Sequence, residues 1–104
     1  MLDINFEFRK GIFFVRLIGD VTKDTYGLVS RDLEKLIIEN KFKYIVVNTD
    51  MIKRIDFTGL NFINKINLLI QENKSNLIIC DKTKTLNTLL NGCVPNIVSE
   101  LEVL

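Results

Sequence analysis

The sequence predicts a single α/β domain, residues 1–104, built on a mixed, mostly parallel sheet with right-handed β-α crossovers in the order β-β-α-β-α-β-α-β. Three observations carry that expectation. Two apolar-rich runs near the start, Ile4–Arg9 and Ile12–Ile18, are separated only by Lys10-Gly11. Two short, wholly apolar runs, Tyr44–Val47 and Leu77–Ile79, suit the interior of a sheet covered on its faces. Between and after them, apolar residues recur at helical spacing.

Each element follows from its residues. Ile4-Asn5-Phe6-Glu7-Phe8-Arg9 alternates apolar with polar, as a half-buried strand does. Ile12–Ile18 is more apolar and therefore more central, and Lys10-Gly11 joins the two as an antiparallel hairpin. Gly19-Asp20 ends it. Asp24 or Thr25 caps a first helix that runs to about Asn40, with Leu28, Val29, Leu33, Leu36 and Ile37 inward. After the strand at Tyr44–Val47, a second helix runs from about Thr58 to Glu72 and buries Leu60, Ile63, Ile66, Leu69 and Ile70. Asn61, Asn64, Lys65 and Asn67 lie nearer its polar side. Asn76–Cys80 is a strand, Lys84–Asn91 a short helix closed by Gly92, and Ile97–Val103, after the chain-breaking Pro95, a terminal strand.

Composition limits the function. The chain is 47% hydrophobic and 26% charged with a net charge of +1. A chain of this length buries roughly 65% of its unfolded surface, enough for one core. The lysines are scattered, so nothing favours direct nucleic-acid contact or an anionic membrane. No apolar run reaches a membrane span, and no signal peptide is visible, which places the expected chain in the cytoplasm. Histidine is absent, and with it the usual general base and zinc ligand. Cys80 and Cys93 have no metal spacing and read as reduced thiols. The expectation is a protein without cofactor or catalytic centre.

In a parallel sheet the loops after strand C-termini share one edge, and sites favour that edge. Three loops qualify: Gly19–Thr22, Asn48–Phe57 and Asp81–Thr83. Thr58 joins them at the start of the second helix. Its hydroxyl suits a plain N-cap, and the same position suits a phosphate in the helix field. Asp56 reads either as a solvated loop carboxylate or as one that holds backbone amides. Phe57 reads as a staple beneath the helix or, if exposed, as an interface anchor. Lys53-Arg54 is a solvated pair or a contact for an acidic partner or a phosphate, and Asp20 belongs to a turn or a partner contact. Asp50 and Asp56 lack a third ligand for a metal. Cys80 reads as a core thiol.

Gly19-Asp20-Val21-Thr22-Lys23-Asp24-Thr25 resembles the Gly-Glu-Leu-Asp segment of the anti-sigma factor antagonists, and Asp56-Phe57-Thr58-Gly59-Leu60 is similar to their Asp-Ser-Ser-Gly-Leu signature. The likeness spans nearly the whole chain in order, and the family is that of the STAS domain, named for sulfate transporters and anti-sigma antagonists. The resemblance implies a bacterial regulatory binding module without catalysis. Its unphosphorylated form binds an anti-sigma factor with Ser/Thr kinase activity and frees a sigma factor for transcription; a phosphatase acts on the phospho-form. It implies Thr58 as phospho-acceptor, and the shared loop edge makes Asp20, Thr22, Asp56, Phe57, Gly59 and Asn61 the expected partner-binding surface around it. The chain departs from the pattern at Thr22 for Asp, Arg54 for an apolar residue, Phe57 and Thr58 for Ser, and Asn61 for Gly. The alternative within this fold is a STAS subunit that regulates a membrane lipid or anion transport complex.

Overall fold

Lys10 and Gly11 both take positive φ, 52° and 81°. That is the backbone a two-residue hairpin turn requires. It joins β1 (Leu2–Arg9) to β2 (Ile12–Val21) in an antiparallel register running from Arg9↔Ile12 to Leu2↔Gly19. A computed structural model describes the chain except residues 84, 85 and 87–93, with backbone only at 28 and 29. The expected helix at Lys84–Asn91, its Gly92 cap and Cys93 therefore lie outside the described residues, apart from a buried Leu86.

β2 is long enough to pair twice on its far side. Its first half lies parallel to β3 (Tyr44–Asn48), from Ile12↔Tyr44 to Arg16↔Asn48. Its second half, past an irregularity at Gly19/Asp20, lies parallel to β4 (Ile52–Ile55). β4 corrects the sequence expectation, which placed a loop there. Ile52-Lys53-Arg54-Ile55 has two adjacent charges and no alternation, so its strand character comes from the β2 overhang. β3 pairs parallel with β5 (Asn76–Cys80), and β5 with β6 (Asn96–Ile97). The sheet order is β1-β2-β3-β5-β6, with β4 beside β2.

The last strand is shorter than expected. It stops at Ile97, and Ser99 opens a 3-10 turn over Glu100–Glu102 through a reciprocal capping box with Glu102. Ser-x-x-Glu is the sequence signature of that box, and it outcompetes the strand pattern; Leu101 is left exposed.

α1 (Gly27–Glu39) and α2 (Phe57–Glu72) cover one face of the sheet. Leu33 and Ile37 of α1 and Phe62, Ile63, Ile66 and Ile70 of α2 meet Phe13, Val15, Leu17, Val21, Ile45, Val47 and Ile79 in the main core. Two expectations shift here. Leu60 and Leu69 are only partly buried, whereas Asn67 is buried and accepts a hydrogen bond from Gln71 Nε2 at 3.2 Å. α1 has no side-chain cap: Thr25 Oγ1 instead donates to Asp20 O at 2.7 Å and accepts from Thr22 N at 3.0 Å, closing the β2–α1 loop.

The other face carries a smaller cluster of Phe14, Val46 and Cys80, against which Val103 and Leu104 pack. Arg16 pins the 3-10 turn to that face. Its guanidinium donates to both carboxylate oxygens of Glu100 and to Glu7, at 2.7–3.2 Å. Among the described residues no helix is long and apolar enough to cross a membrane.

Candidate functional site

The site grows from the junction of β4 with α2. β4 ends at Ile55, and Asp56 N donates to Val21 O at 3.3 Å, which keeps Asp56 extended at φ −102° and ψ −177°. An extended residue just before a helix is an N-cap. Asp56 Oδ1 accepts from Gly59 N at 2.7 Å, and Oδ2 accepts from Lys23 N at 3.0 Å. One carboxylate thus caps α2 and ties the β2–α1 loop to it. The Gly59 amide, then the Lys23 amide, hold this carboxyl below the usual aspartate range, against a smaller opposing effect of burial.

Asp56, not Thr58, is therefore the cap, which corrects the plain-cap reading of Thr58. The correction moves Phe57 as well. A staple residue precedes the cap, and Phe57 follows it, in the first turn of α2, where its ring is 76% exposed. Ile55 stands in the preceding position and packs, with Leu60, against the main core.

Thr58 occupies the second position of α2 and is half-buried. Among the described residues its hydroxyl has no hydrogen-bond partner. It opens onto a groove of about 290 Å³ between α1 and α2, lined by Tyr26, Ser30, Glu34, Asn61, Phe62 and Lys65. Lys65 Nζ pairs with Glu34 Oε1 at 3.0 Å. The sequence reading missed the Ser30, Glu34 and Lys65 side of this groove, because those residues look like ordinary solvated helix positions. Their only signal is that each sits at helical spacing on a face the two helices share.

Gly59 is buried, and the reason is backbone approach. A Cβ built there would stand 1.8 Å from Val21 O and 2.6 Å from Val21 C. Glycine lets the first turn of α2 press against the end of β2; it presents no contact surface of its own.

Asp20 is held by Arg54 of β4, whose Nη2 lies 2.9 Å from Asp20 Oδ2. This hydrogen-bonded guanidinium pulls the Asp20 carboxyl below its ordinary range. The Arg that replaces an apolar residue thus has a local partner. Thr22, Asp24, Arg54, Ile55 and Asp56 line a second, open depression of about 450 Å³. Asp20, Thr22, Asp56, Phe57 and Thr58 accordingly lie on one edge, and exposed Asn61 continues it one turn along α2.

The third loop joins the same end of the sheet. Asp50 Oδ1 accepts from Lys82 N at 2.7 Å, and Cys80 Sγ lies 3.9 Å from Asp50 Oδ2. Asp56 spends both oxygens on backbone amides and Asp50 spends one, its other oxygen facing the Cys80 thiol, and no metal-holding cluster of three or more acids or thiols occurs among the described residues. Burial first, and the nearby Asp50 charge second, push the Cys80 thiol up to about 11. It is a core thiol rather than an activated nucleophile.

A Paenibacillus polymyxa protein named anti-sigma F factor antagonist is 26% identical over 90 residues, covering 86% of this chain and 77% of the relative. The anti-sigma factor antagonist SpoIIAA in its unphosphorylated form superposes with a TM-score of 0.78 at 12% identity, over 97% of this chain and 93% of that one. The phosphorylated form of the Bacillus cell fate determinant SpoIIAA gives 0.73 at 11% identity, over 97% and 96%. At those identities the structures share the fold. The sequence profile of the STAS domain matches residues 3–93, and the chain belongs to the STAS domain family.

Proposed function

We propose that this protein is an anti-sigma factor antagonist, a non-enzymatic cytoplasmic module switched at Thr58. With Thr58 unmodified, it binds an anti-sigma factor that is also a Ser/Thr kinase and so frees a sigma factor. Phosphorylation ends the binding, and a phosphatase restores it. The contact edge comprises Asp20, Thr22, Asp56, Phe57 and Asn61 around Thr58, with Gly59 setting the helix in place.

The observation that carries this reading is the unpartnered hydroxyl of Thr58 in the first turn of α2. Its capping task is taken by Asp56. The hydroxyl therefore has no structural duty and stands beside an exposed Phe57 ring suited to anchoring a partner. The name of the Paenibacillus polymyxa relative supports the same function.

A phosphate on Thr58 adds about −1.5 to −2 charges. The helix N-terminus favours such a charge by roughly 0.3–1 kcal/mol, and the Asp56 carboxylate two residues earlier offsets part of that. The fold survives, and the effect falls on the interface, where a dianion is buried without a counter-charge.

The test is incubation with the anti-sigma kinase and ATP, mass spectrometry of the product, and binding of wild type, Thr58→Ala and Thr58→Glu to that partner. Phosphate is expected on Thr58. Wild type and Thr58→Ala bind alike, while Thr58→Glu and the phospho-protein lose orders of magnitude in affinity. Because Asp56 is the cap, Thr58→Ala changes stability by less than about 0.5 kcal/mol. Phosphate at another residue, or a phospho-Thr58 protein that binds as tightly as before, ends this reading.

A further inference from the structure

β1 closes one side of the sheet, with β2 its only strand neighbour among the described residues. Its eight residues contain no proline, and its register with β2 is unbroken from end to end. Soluble proteins ordinarily blunt such an edge with a proline, a bulge or an inward-pointing charge. Here the residues on the helix-covered face are Leu2, Ile4, Phe6 and Phe8, and the rings of Phe6 and Phe8 are 39% and 62% exposed. Phe6 stacks on Phe13 at 5.6 Å, Phe13 on Phe42 at 4.2 Å, and Phe8 meets Phe42 at 5.7 Å. The aromatic layer of the core thus runs out to the open edge.

We propose that this edge is covered by a second copy of the chain, the two β1 strands pairing antiparallel about a two-fold axis that passes between the two Phe6 residues. The backbone phase permits it. A two-residue turn closes on a hydrogen-bonded pair, here Arg9 with Ile12. The alternation along the strand then turns the amide groups of Ile4, Phe6 and Phe8 outward. An antiparallel partner can bond only where its own outward-facing residues stand opposite.

The charges select one register. With Phe6 opposite its own copy, Asp3 faces Arg9 twice, Ile4 faces Phe8 twice, and Asn5 faces Glu7 twice. Asp3 and Arg9 are exposed, and neither takes part in an ion pair among the described residues. Glu7 and Asn5, in contrast, are already held by Arg16. Sliding the pairing by one step places Asp3 opposite Glu7 in one direction and Glu7 opposite its own copy in the other. Like charges directly opposite each other are unfavourable in a sheet. Of the two longest registers that the backbone phase allows, only this one avoids like charges, and it keeps both helical layers on the same side of one continuous sheet. This pairing stands apart from the Thr58 switch and does not depend on it.

The test is sedimentation velocity on the full chain from about 1 µM to about 1 mM, with circular dichroism to verify the fold. Wild type is expected to dimerise reversibly. Asp3→Arg and Arg9→Asp each place like charges opposite one another at two symmetry-related contacts, and each weakens the dimer by about tenfold. The double variant, Asp3→Arg with Arg9→Asp, restores wild-type affinity. A wild type that stays monomeric throughout, single variants that dimerise like wild type, or a double variant no tighter than the singles overturns the pairing.

Discussion

Gly59→Ala tests the account of the site most directly, because two rules give it opposite signs. In an ordinary helix interior, replacing Gly by Ala stabilises by about 1 kcal/mol. Here the new Cβ falls 1.8 Å from Val21 O and 2.6 Å from Val21 C. Neither atom belongs to a side chain that could rotate away, and Val21 is 0% exposed in the core. Relief requires α2 to move off the end of β2, which stretches the 3.3 Å bond from Asp56 N to Val21 O and disturbs the cap at Gly59 N. Overpacking costs typically about 1–3 kcal/mol, and an immovable backbone carbonyl places this case at or above the upper end. After the propensity gain the net loss is about 2 kcal/mol. For a domain of this size that lowers Tm by roughly 8–16 °C. Urea unfolding followed by circular dichroism, with linear extrapolation to water, measures it. The same shift misplaces Thr58, so phosphorylation should slow in the fraction that remains folded. A variant as stable as wild type, or more stable, would show that α2 does not approach β2 as closely as described.

Two other measurements follow from the electrostatics. The Asp56 carboxyl lies below its unfolded value of about 3.9, so its contribution is fully present above that pH and is lost as pH falls through the lower folded value. Asp20 and Glu100 are shifted in the same direction. Thermal unfolding between about pH 6 and about pH 2 should therefore show a steep acid limb, and Asp56→Asn should flatten it; an unchanged limb would remove Asp56 from the account. Cys80, raised from 9.0 to about 11, carries about a hundredfold less thiolate at pH 8 than an ordinary thiol. In a Cys93→Ala background it should resist iodoacetamide at least that strongly until urea unfolds the chain, and rapid labelling of the native protein would contradict its burial.

The sequence by itself determined the elements whose signal is local and repeated. The β1–β2 alternation, the apolar runs of β3 and β5 and the helical spacing of α2 each repeat a pattern over several residues, and the structure places those elements within a few residues of the expected bounds. The Asp56–Leu60 segment likewise marked the start of α2, because a carboxylate, a hydroxyl and a glycine at that spacing suit a helix start. Tertiary structure decided what one segment could not encode alone. β4 exists because β2 extends past β3 and leaves an edge to pair. Asp56 and Thr58 are both good cap residues by type; the bond from Asp56 N to Val21 O and the fit of Gly59 against that same carbonyl select Asp56. That choice rotates Phe57 outward and leaves the Thr58 hydroxyl unpartnered. A capping box at Ser99 ends the last strand early, and the bonds from Arg16 to Glu100 hold the resulting turn across 84 residues of sequence. Except at the capping box, where Ser99 and Glu102 lie in one short segment, the deciding contact lies between segments distant in the chain, so its partner is invisible to any window read along it.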